Sequence, residues 1–121
     1  TRFVATNESS AHIHFKNAVT SLEEGGTQLS MKKVVPVRLI KNDFQKRIQE
    51  AEDRGASVNE LVEILGRARA KKGMYEGDMN EGELEIGQIA SFVKEIKPAA
   101  DVVREIWQEY QQAKADVATF I

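Results

Sequence analysis

The clearest helix signal in the chain reads SVNELVEIL, residues 57–65. Ser57 and Glu60 have the spacing of a capping box, in which each side chain accepts a hydrogen bond from the other residue's backbone amide. Apolar residues follow at the spacing of one helical face, at Val58, Leu61, Val62 and Leu65. The pattern predicts one helix over about residues 58–72, with Gly66 as a tolerated interruption.

Helical spacing of apolar residues extends to both sides of this stretch. It predicts four more helices, over about residues 10–24, 43–54, 88–96 and 99–117. Ser9 or Ser10 is expected to cap the first of these, because a serine hydroxyl accepts from orphan backbone amides. On the last helix, Trp107 and Tyr110 are expected in a core or a subunit interface.

Extended structure is predicted for fewer residues. Thr1–Thr6 is β-favouring and is interpreted as the end of a strand, and residues 34–40 predict a second strand. Pro36 cannot donate to a ladder, so this second strand belongs at an edge or a bulge. Residues 27–33 are predicted to be irregular, and residues 73–87 form a loop with a short extended piece at 84–86. The predicted fold class is mainly α, with about five helices and one or two short strands.

Composition limits the classes of function. A chain of 121 residues with 17 basic and 19 acidic side chains has a net charge of -2, which argues against a nucleic-acid or anionic-membrane surface. No apolar run is long enough to cross a bilayer. The chain has no cysteine, which excludes disulfides and thiol catalysis and favours a reducing compartment, so we expect a cytoplasmic protein.

Two groups of polar residues fail the spacing tests for a metal site. His12 and His14 are two apart, which places them about 200° apart around a helix, so they cannot chelate one ion together. Asp78 and Asn80 match the first ligands of a calcium loop, but Glu83 stands where that loop requires glycine. No metal site is predicted.

The acidic loop contains two further features. Glu83 and Glu85 would share one face of an extended segment, but no third group supports acid–base chemistry by this pair. Gly87 precedes a helix start, at Gln88, where a backbone can approach a polar ligand closely. An ordinary turn explains the same glycine, and the spacing alone leaves both interpretations open.

Several segments, in order, resemble motifs of the nitronate monooxygenase family, formerly called 2-nitropropane dioxygenase. They read TRFVATxESxAHxxFK at residues 1–16, VRxxKN at 37–42 and EGDxxxGxxxxGQI at 76–89, followed by the terminal helices. Flavin-dependent enoyl-acyl-carrier-protein reductases share this pattern. The resemblance runs from residue 1 to about residue 113.

The resemblance implies a fold and a division of the chain. It implies the C-terminal third of an FMN-binding (β/α)8 barrel, with the whole of residues 1–121 as one segment. Residues 1–26 would be the end of the last barrel strand and the helix after it, and residues 27–121 a mostly helical C-terminal region. The chain starts at Thr1 without a methionine, so we expect a longer protein whose N-terminal barrel portion is missing here.

The resemblance also implies site residues. Thr1 matches the threonine of the family's GTRF segment, which makes its amide or hydroxyl a candidate contact to the FMN phosphate. Gly87 and Gln88 match a segment near the mouth of the flavin site. The family's catalytic histidine has no counterpart in this chain, so no catalytic residue is assigned, and His12 is given a structural role.

The implied activity is the FMN-dependent oxidation of alkyl nitronates with oxygen. An NAD(P)H-dependent enoyl-acyl-carrier-protein reductase on the same scaffold is the alternative, although Glu83 and Glu85 depart from the reductase pattern. A non-enzymatic helical interaction module is the third reading. The expected partners are a small-molecule substrate, the missing barrel portion and, as an open option, a second copy. The isolated chain is expected to be inactive.

Overall fold

The computed structural model describes residues 1–120; Ile121, the last residue of the predicted segment, lies outside the described residues. Five α-helices are present in this part of the chain: α1 (Ile13–Thr20), α2 (Asp43–Asp53), α3 (Val58–Leu65), α4 (Arg69–Met74) and α5 (Ala99–Ala118). Two strands, β1 (Thr27–Ser30) and β2 (Val37–Ile40), and two 3-10 helices, Arg2–Ala5 and Gln88–Phe92, complete it. The mainly helical class with one or two short strands is confirmed.

The two strands form an antiparallel pair, with Thr27 opposite Ile40 and Ser30 opposite Val37. The prediction that residues 27–33 are irregular is therefore wrong for β1, because strand formation there depends on pairing with β2 rather than on local β propensity. The predicted strand over residues 34–40 is wrong at its start, because β2 begins only after Pro36, which cannot donate to the ladder. The extended piece predicted at residues 84–86 lies beside β2, where Glu85 bridges Leu39 and Ile40 N donates to Leu84 O at 2.9 Å.

The start of the chain is not a strand end. Residues Arg2–Ala5 form a 3-10 helix, and only Thr6 makes a bridge, in parallel with Lys97. Lys16 explains this path: its side chain is buried, and its Nζ donates to Thr6 O at 2.6 Å. A contact between α1 and the preceding segment decides the local structure against β propensity.

The cap of α1 also differs from the prediction. His12, not Ser9 or Ser10, is the N-cap, and its Nδ1 accepts a hydrogen bond from His14 N at 3.1 Å. Ser9 Oγ accepts from Ala11 N instead, in the turn before the helix. His12 therefore has the structural role at the start of a helix that the sequence indicated.

The capping box of Ser57 and Glu60 is present as predicted. The single helix over residues 58–72 is wrong, because α3 ends at Leu65 and Gly66 takes a φ of 66°. Arg69 stabilises the break: its guanidinium donates to Leu65 O at 2.7 Å, which satisfies a carbonyl at the open end of α3. The chain then turns into the separate helix α4.

The predicted helix over residues 88–96 is also wrong. Only the 3-10 turn Gln88–Phe92 forms, and the chain then extends so that Lys97 O can accept from Asn7 N at 3.1 Å. Beyond Pro98, α5 follows the prediction closely. No helix in residues 1–120 is both long enough and apolar enough to cross a membrane.

The core consists of two clusters of buried apolar side chains. One lies around α1 and the 3-10 helices, and contains Ala5, Phe15, Val19, Leu22, Ile40, Leu84, Ile86 and Ala90. The other lies between the sheet, α2 and α3, and contains Met31, Leu39, Phe44, Ile48, Ala51, Ala56 and Leu61. Trp107 and Tyr110 belong to neither cluster and are 61% and 53% exposed, so the core prediction is wrong for them within this chain and the interface prediction stays untested.

Candidate functional site

Two of the three predicted site residues lie against each other. A Cβ placed on Gly87 would be 2.8 Å from Thr1 Oγ1, which is closer than real Cβ contacts. Thr1 precedes the first 3-10 helix and its side chain makes no capping hydrogen bond, while Gly87 precedes the second. Both residues are exposed. The fold thus joins positions that are 86 residues apart in the sequence.

Gln88 follows directly on this contact and is also exposed. It lines a shallow groove of about 560 Å³ between the turn at residues 23–25 and the second 3-10 helix. Ile89 and Phe92, which are 53% and 80% exposed, supply the apolar part of that groove, and Lys94 also lines it. A ligand held at Gln88 would therefore meet an apolar surface beside it.

A second groove, of about 470 Å³, is also lined by Ile89 and Phe92. Its other walls come from the first 3-10 helix, from the segment between Val93 and Lys97, and from α5 at Val102, Glu105 and Glu109. Arg2 crosses this groove and binds α5, with Nη1 donating to Glu109 Oε2 at 2.8 Å. This hydrogen bond and the charge of Glu109 raise the pKa of Arg2.

The acidic loop is held by its own backbone. The Asp78 carboxylate accepts from Glu81 N at 2.9 Å and from Asn80 N at 3.1 Å, and the bond from Glu81 N is the main cause of its lowered pKa. Within residues 1–120, no group of three potential metal-binding side chains comes together. The loop is a structural turn around Asp78.

Glu83 differs from the other acidic residues of this loop because its side chain is buried, at 8% exposure. Burial, and then the charge of Glu85, raises the pKa of Glu83. Glu85 is exposed and pairs with Leu39 in a bridge. The two carboxyl groups are thus in different environments, and Glu83 lines neither groove.

Sequence reasoning did not find Arg2, Lys97 and Glu105, which hold the segment that carries Thr1. Lys97 Nζ donates to Glu105 Oε1 at 2.8 Å, and this bond is the main cause of the lowered pKa of Glu105. Lys97 and Glu105 are about one hundred positions from Arg2 in the sequence, so no local pattern could have predicted these contacts. The charges at positions 105 and 109, one turn apart on α5, were the only available signal.

Comparison with solved structures shows which known proteins share this fold. The chain matches the FabK protein of Thermotoga maritima with 27% sequence identity and a TM-score of 0.88, over 99% of this chain and 38% of FabK. A single-residue variant of that FabK matches with 24% identity and a TM-score of 0.81, over 99% of this chain and 35% of the variant, and shows the fold alone. FabK is a barrel protein, so the predicted resemblance to about a third of such a barrel is confirmed.

The family comparison covers most of the sequence. The family model described as nitronate monooxygenase matches residues 1–109, which include all three predicted site residues and the whole first half of α5. The chain spans less than two-fifths of the length of the FabK protein that it matches. The chain belongs to the nitronate monooxygenase family.

Proposed function

We propose that this chain supplies the phosphate side of the FMN site in an FMN-dependent oxidoreductase that oxidises alkyl nitronates with oxygen. The observation that carries the proposal is the contact between Thr1 and Gly87. Family membership over residues 1–109 supports the flavin and the class of reaction. A small-molecule substrate follows from that class.

The residues present fit a phosphate group. Thr1 offers a hydroxyl that is not used as a cap, and a hydroxyl can donate to a phosphate oxygen. Gly87 has no side chain, so the Thr1 hydroxyl can lie directly against its backbone. Gln88 adds a side-chain amide, which has both donors and an acceptor. We assign Thr1, Gly87 and Gln88 to binding and orienting the cofactor.

The FMN itself, when bound, would supply the electron-transfer chemistry. This chain contributes position and shape: Thr1 and Gly87 would fix one end of the cofactor, and Ile89 and Phe92 would offer it apolar contacts. No residue of this chain is assigned a catalytic role. We therefore expect the isolated chain to bind FMN weakly and to show no turnover.

The remaining partner is a barrel portion that corresponds to the part of FabK without a counterpart here. The exposed apolar side chains of α5, among them Val103, Ile106 and Trp107, give such a portion a surface to pack on. Association of two copies is the competing use of the same surface. A cytoplasmic location belongs to the same proposal and is supported by the absence of cysteine.

An enoyl-acyl-carrier-protein reductase is the second candidate, and one observation favours it. The groove beside Gln88 is open and lined by Ile89 and Phe92, which suits a hydrocarbon chain better than a small nitronate. The likeness to FabK supports the shared scaffold and does not separate the two activities.

The test uses the natural protein that contains this sequence. Its intact mass and visible absorbance are measured first, and a flavin absorption band is expected. Oxygen uptake with a nitronate and NADH consumption with an enoyl thioester are then compared. Oxygen uptake supports the first candidate and NADH consumption the second. A colourless protein of 13.6 kDa without either activity would contradict both and favour an interaction module.

A further inference from the structure

We propose that Arg2 is a positioning residue of the candidate phosphate site, and that its attachment to α5 holds Thr1 against Gly87. The inference rests on the proposed function for its ligand. Its structural part, the dependence of the Thr1–Gly87 contact on Arg2, can be tested without any ligand. Nothing in the sequence pattern assigns Arg2 this role, because its partners lie at the far end of the chain.

Arg2 binds α5 with the geometry of a fork. Nη1 donates to Glu109 Oε2 at 2.8 Å and Nη2 to Glu109 Oε1 at 3.2 Å, so the guanidinium and the carboxylate pair through two bonds. Nη2 also donates to Glu105 Oε2 at 3.2 Å. Bidentate pairing fixes direction as well as distance, which a single charge on a flexible stem does not.

Glu105 extends this pair into a network. Its second oxygen accepts from Lys97 Nζ at 2.8 Å, so one carboxylate joins Arg2 and Lys97. The backbone of Lys97 holds the same segment from the other side: Lys97 N donates to Ala5 O at 3.3 Å, and Asn7 N donates to Lys97 O at 3.1 Å. The first 3-10 helix is thus held at its end by backbone bonds and at its start by the Arg2 side chain.

Thr1 lies at the start of the first 3-10 helix, where the attachment is the Arg2 side chain rather than a set of backbone bonds. One backbone bond, from Val4 N to Thr1 O at 3.1 Å, ties Thr1 to the 3-10 turn. Gly87 is held independently, since its neighbour Ile86 donates to Arg38 O at 3.2 Å in β2. Thr1 and Gly87 are therefore held by different elements of the fold. Arg2 is the side chain that fixes the position of Thr1 relative to α5.

If Arg2 positions Thr1 rather than stabilising the whole fold, replacing Arg2 should alter the site and not the overall stability. The Arg2 side chain is one-third exposed and the Glu109 side chain 64% exposed, and ion pairs of this kind contribute little to global stability. Replacing Arg2 should therefore leave the melting temperature almost unchanged. The local placement of Thr1, and any affinity that depends on it, should change much more.

The experiment compares Arg2→Gln with Arg104→Gln in the 121-residue chain. Arg104 is exposed on the same helix α5 and pairs with Asp101, so its removal also deletes an ion pair but leaves the Arg2 network intact. Contacts between the Thr1 methyl group and the Gly87 α-protons are followed by NMR without ligand. FMN and inorganic phosphate are then titrated separately, and the melting temperature is recorded for each variant.

We expect Arg2→Gln to lose the Thr1–Gly87 contacts and to weaken FMN binding about tenfold, equivalent to 1.4 kcal/mol. Arg2→Lys should give an intermediate loss, because it keeps the charge without the fork, and Arg104→Gln should match the unchanged chain. Retained contacts in Arg2→Gln, or a loss of affinity that only follows a lower melting temperature, would overturn the positioning role. If the unchanged chain shows the contacts but no FMN or phosphate binding at Thr1, the proposed function fails while the dependence on Arg2 is still decided.

Discussion

The helices α2 and α5 both have amphipathic spacing, but only one of them is packed on both the sheet and another helix. In its 11 residues α2 buries Phe44, Gln45, Ile48 and Ala51. In its 20 residues α5 buries only Val102, and its ion pairs with residues far away in the sequence are those of Glu105 and Glu109 with Arg2. The difference shows that spacing predicts a helix and its apolar face but not what covers that face.

The packing of α2 explains why it forms part of the core. Phe44 is fully buried, and the Arg69 guanidinium lies 4.5 Å from the centre of its ring. Asn42 caps the helix, and its amide also donates to Gly82 O at 2.8 Å. One short segment is therefore tied to the helix break after α3 and to the acidic loop, whereas α5 beyond Glu109 is exposed and shows only local side-chain hydrogen bonds among the described residues.

Among the substitutions that test this difference between α2 and α5, Phe44→Ala should change the free energy of unfolding most. Truncation of a fully buried phenylalanine should lower the free energy of unfolding by about 3–5 kcal/mol. Phe92→Ala is the matched control, because Phe92 is 80% exposed, and it should change that free energy by less than about 0.5 kcal/mol. Urea unfolding of the three proteins measures both. Similar losses in the two variants would contradict the division between a packed body and exposed apolar side chains.

Adjacent valines on α5 sharpen the comparison within one helix. Val102 is 3% exposed and Val103 is 56% exposed. We expect Val102→Ala to cost about 1–2 kcal/mol from lost apolar burial. Val103→Ala should be neutral or slightly stabilising, because alanine has the higher helix propensity. Thermal unfolding distinguishes the two, and a larger loss at position 103 would mean that the exposed face is already covered, for instance by a second copy.

The capping prediction has a smaller expected effect. Ser57→Ala removes the hydroxyl that accepts from Glu60 N and should cost about 1 kcal/mol of stability. Ser10→Ala should have almost no effect, since His12 caps α1. Denaturant midpoints of the two variants test this assignment. A substantial loss in Ser10→Ala would restore the serine cap that the sequence suggested.

Glu83 gives the smallest effect, and its sign depends on pH. Its folded pKa is raised by burial and by Glu85, so the folded state retains the proton more strongly than the unfolded state. The resulting stabilisation is present below the unfolded pKa of about 4.3 and is lost as pH rises through the folded pKa. Glu83→Gln should therefore raise the melting temperature at pH 7 relative to the unchanged chain, and this advantage should shrink towards pH 3.

The matched control for this change is Glu63→Gln, on the exposed side of α3. It should leave the dependence of the melting temperature on pH unchanged. A lower melting temperature of Glu83→Gln at pH 7 would show that the carboxylate is stabilised in the fold and would contradict the direction of the pKa shift.

The sequence predicted those parts of the fold that local spacing determines. The box of Ser57 and Glu60, α2 and α5 all depend on residues within a few positions. The wrong predictions share a long-range cause: β1 needs β2, the path at Thr6 needs Lys16, and the break after Leu65 is stabilised by Arg69.

In the candidate site, too, some residues could be named from the sequence, whereas their contacts depend on the fold. Thr1, Gly87 and Gln88 were named from a resemblance, and no property of their own spacing required two of them to meet. The role of Arg2 depends on Glu105 and Glu109, more than one hundred positions away, and single-sequence patterns carry no information on such pairs. Residue type restricts what a side chain can bind, but the fold decides which partner it reaches.

The most direct test of the central claim is an NMR titration of the 121-residue chain with FMN, with Gly87→Ala and Ser91→Ala as variants. We predict weak binding, with a dissociation constant on the order of 1 mM, and shifts centred on Thr1, Gly87 and Gln88. Gly87→Ala should abolish these shifts, because its Cβ would occupy the space beside Thr1 Oγ1, whereas Ser91→Ala should retain them. Shifts centred elsewhere, or unchanged binding by Gly87→Ala, would contradict the assignment of this site.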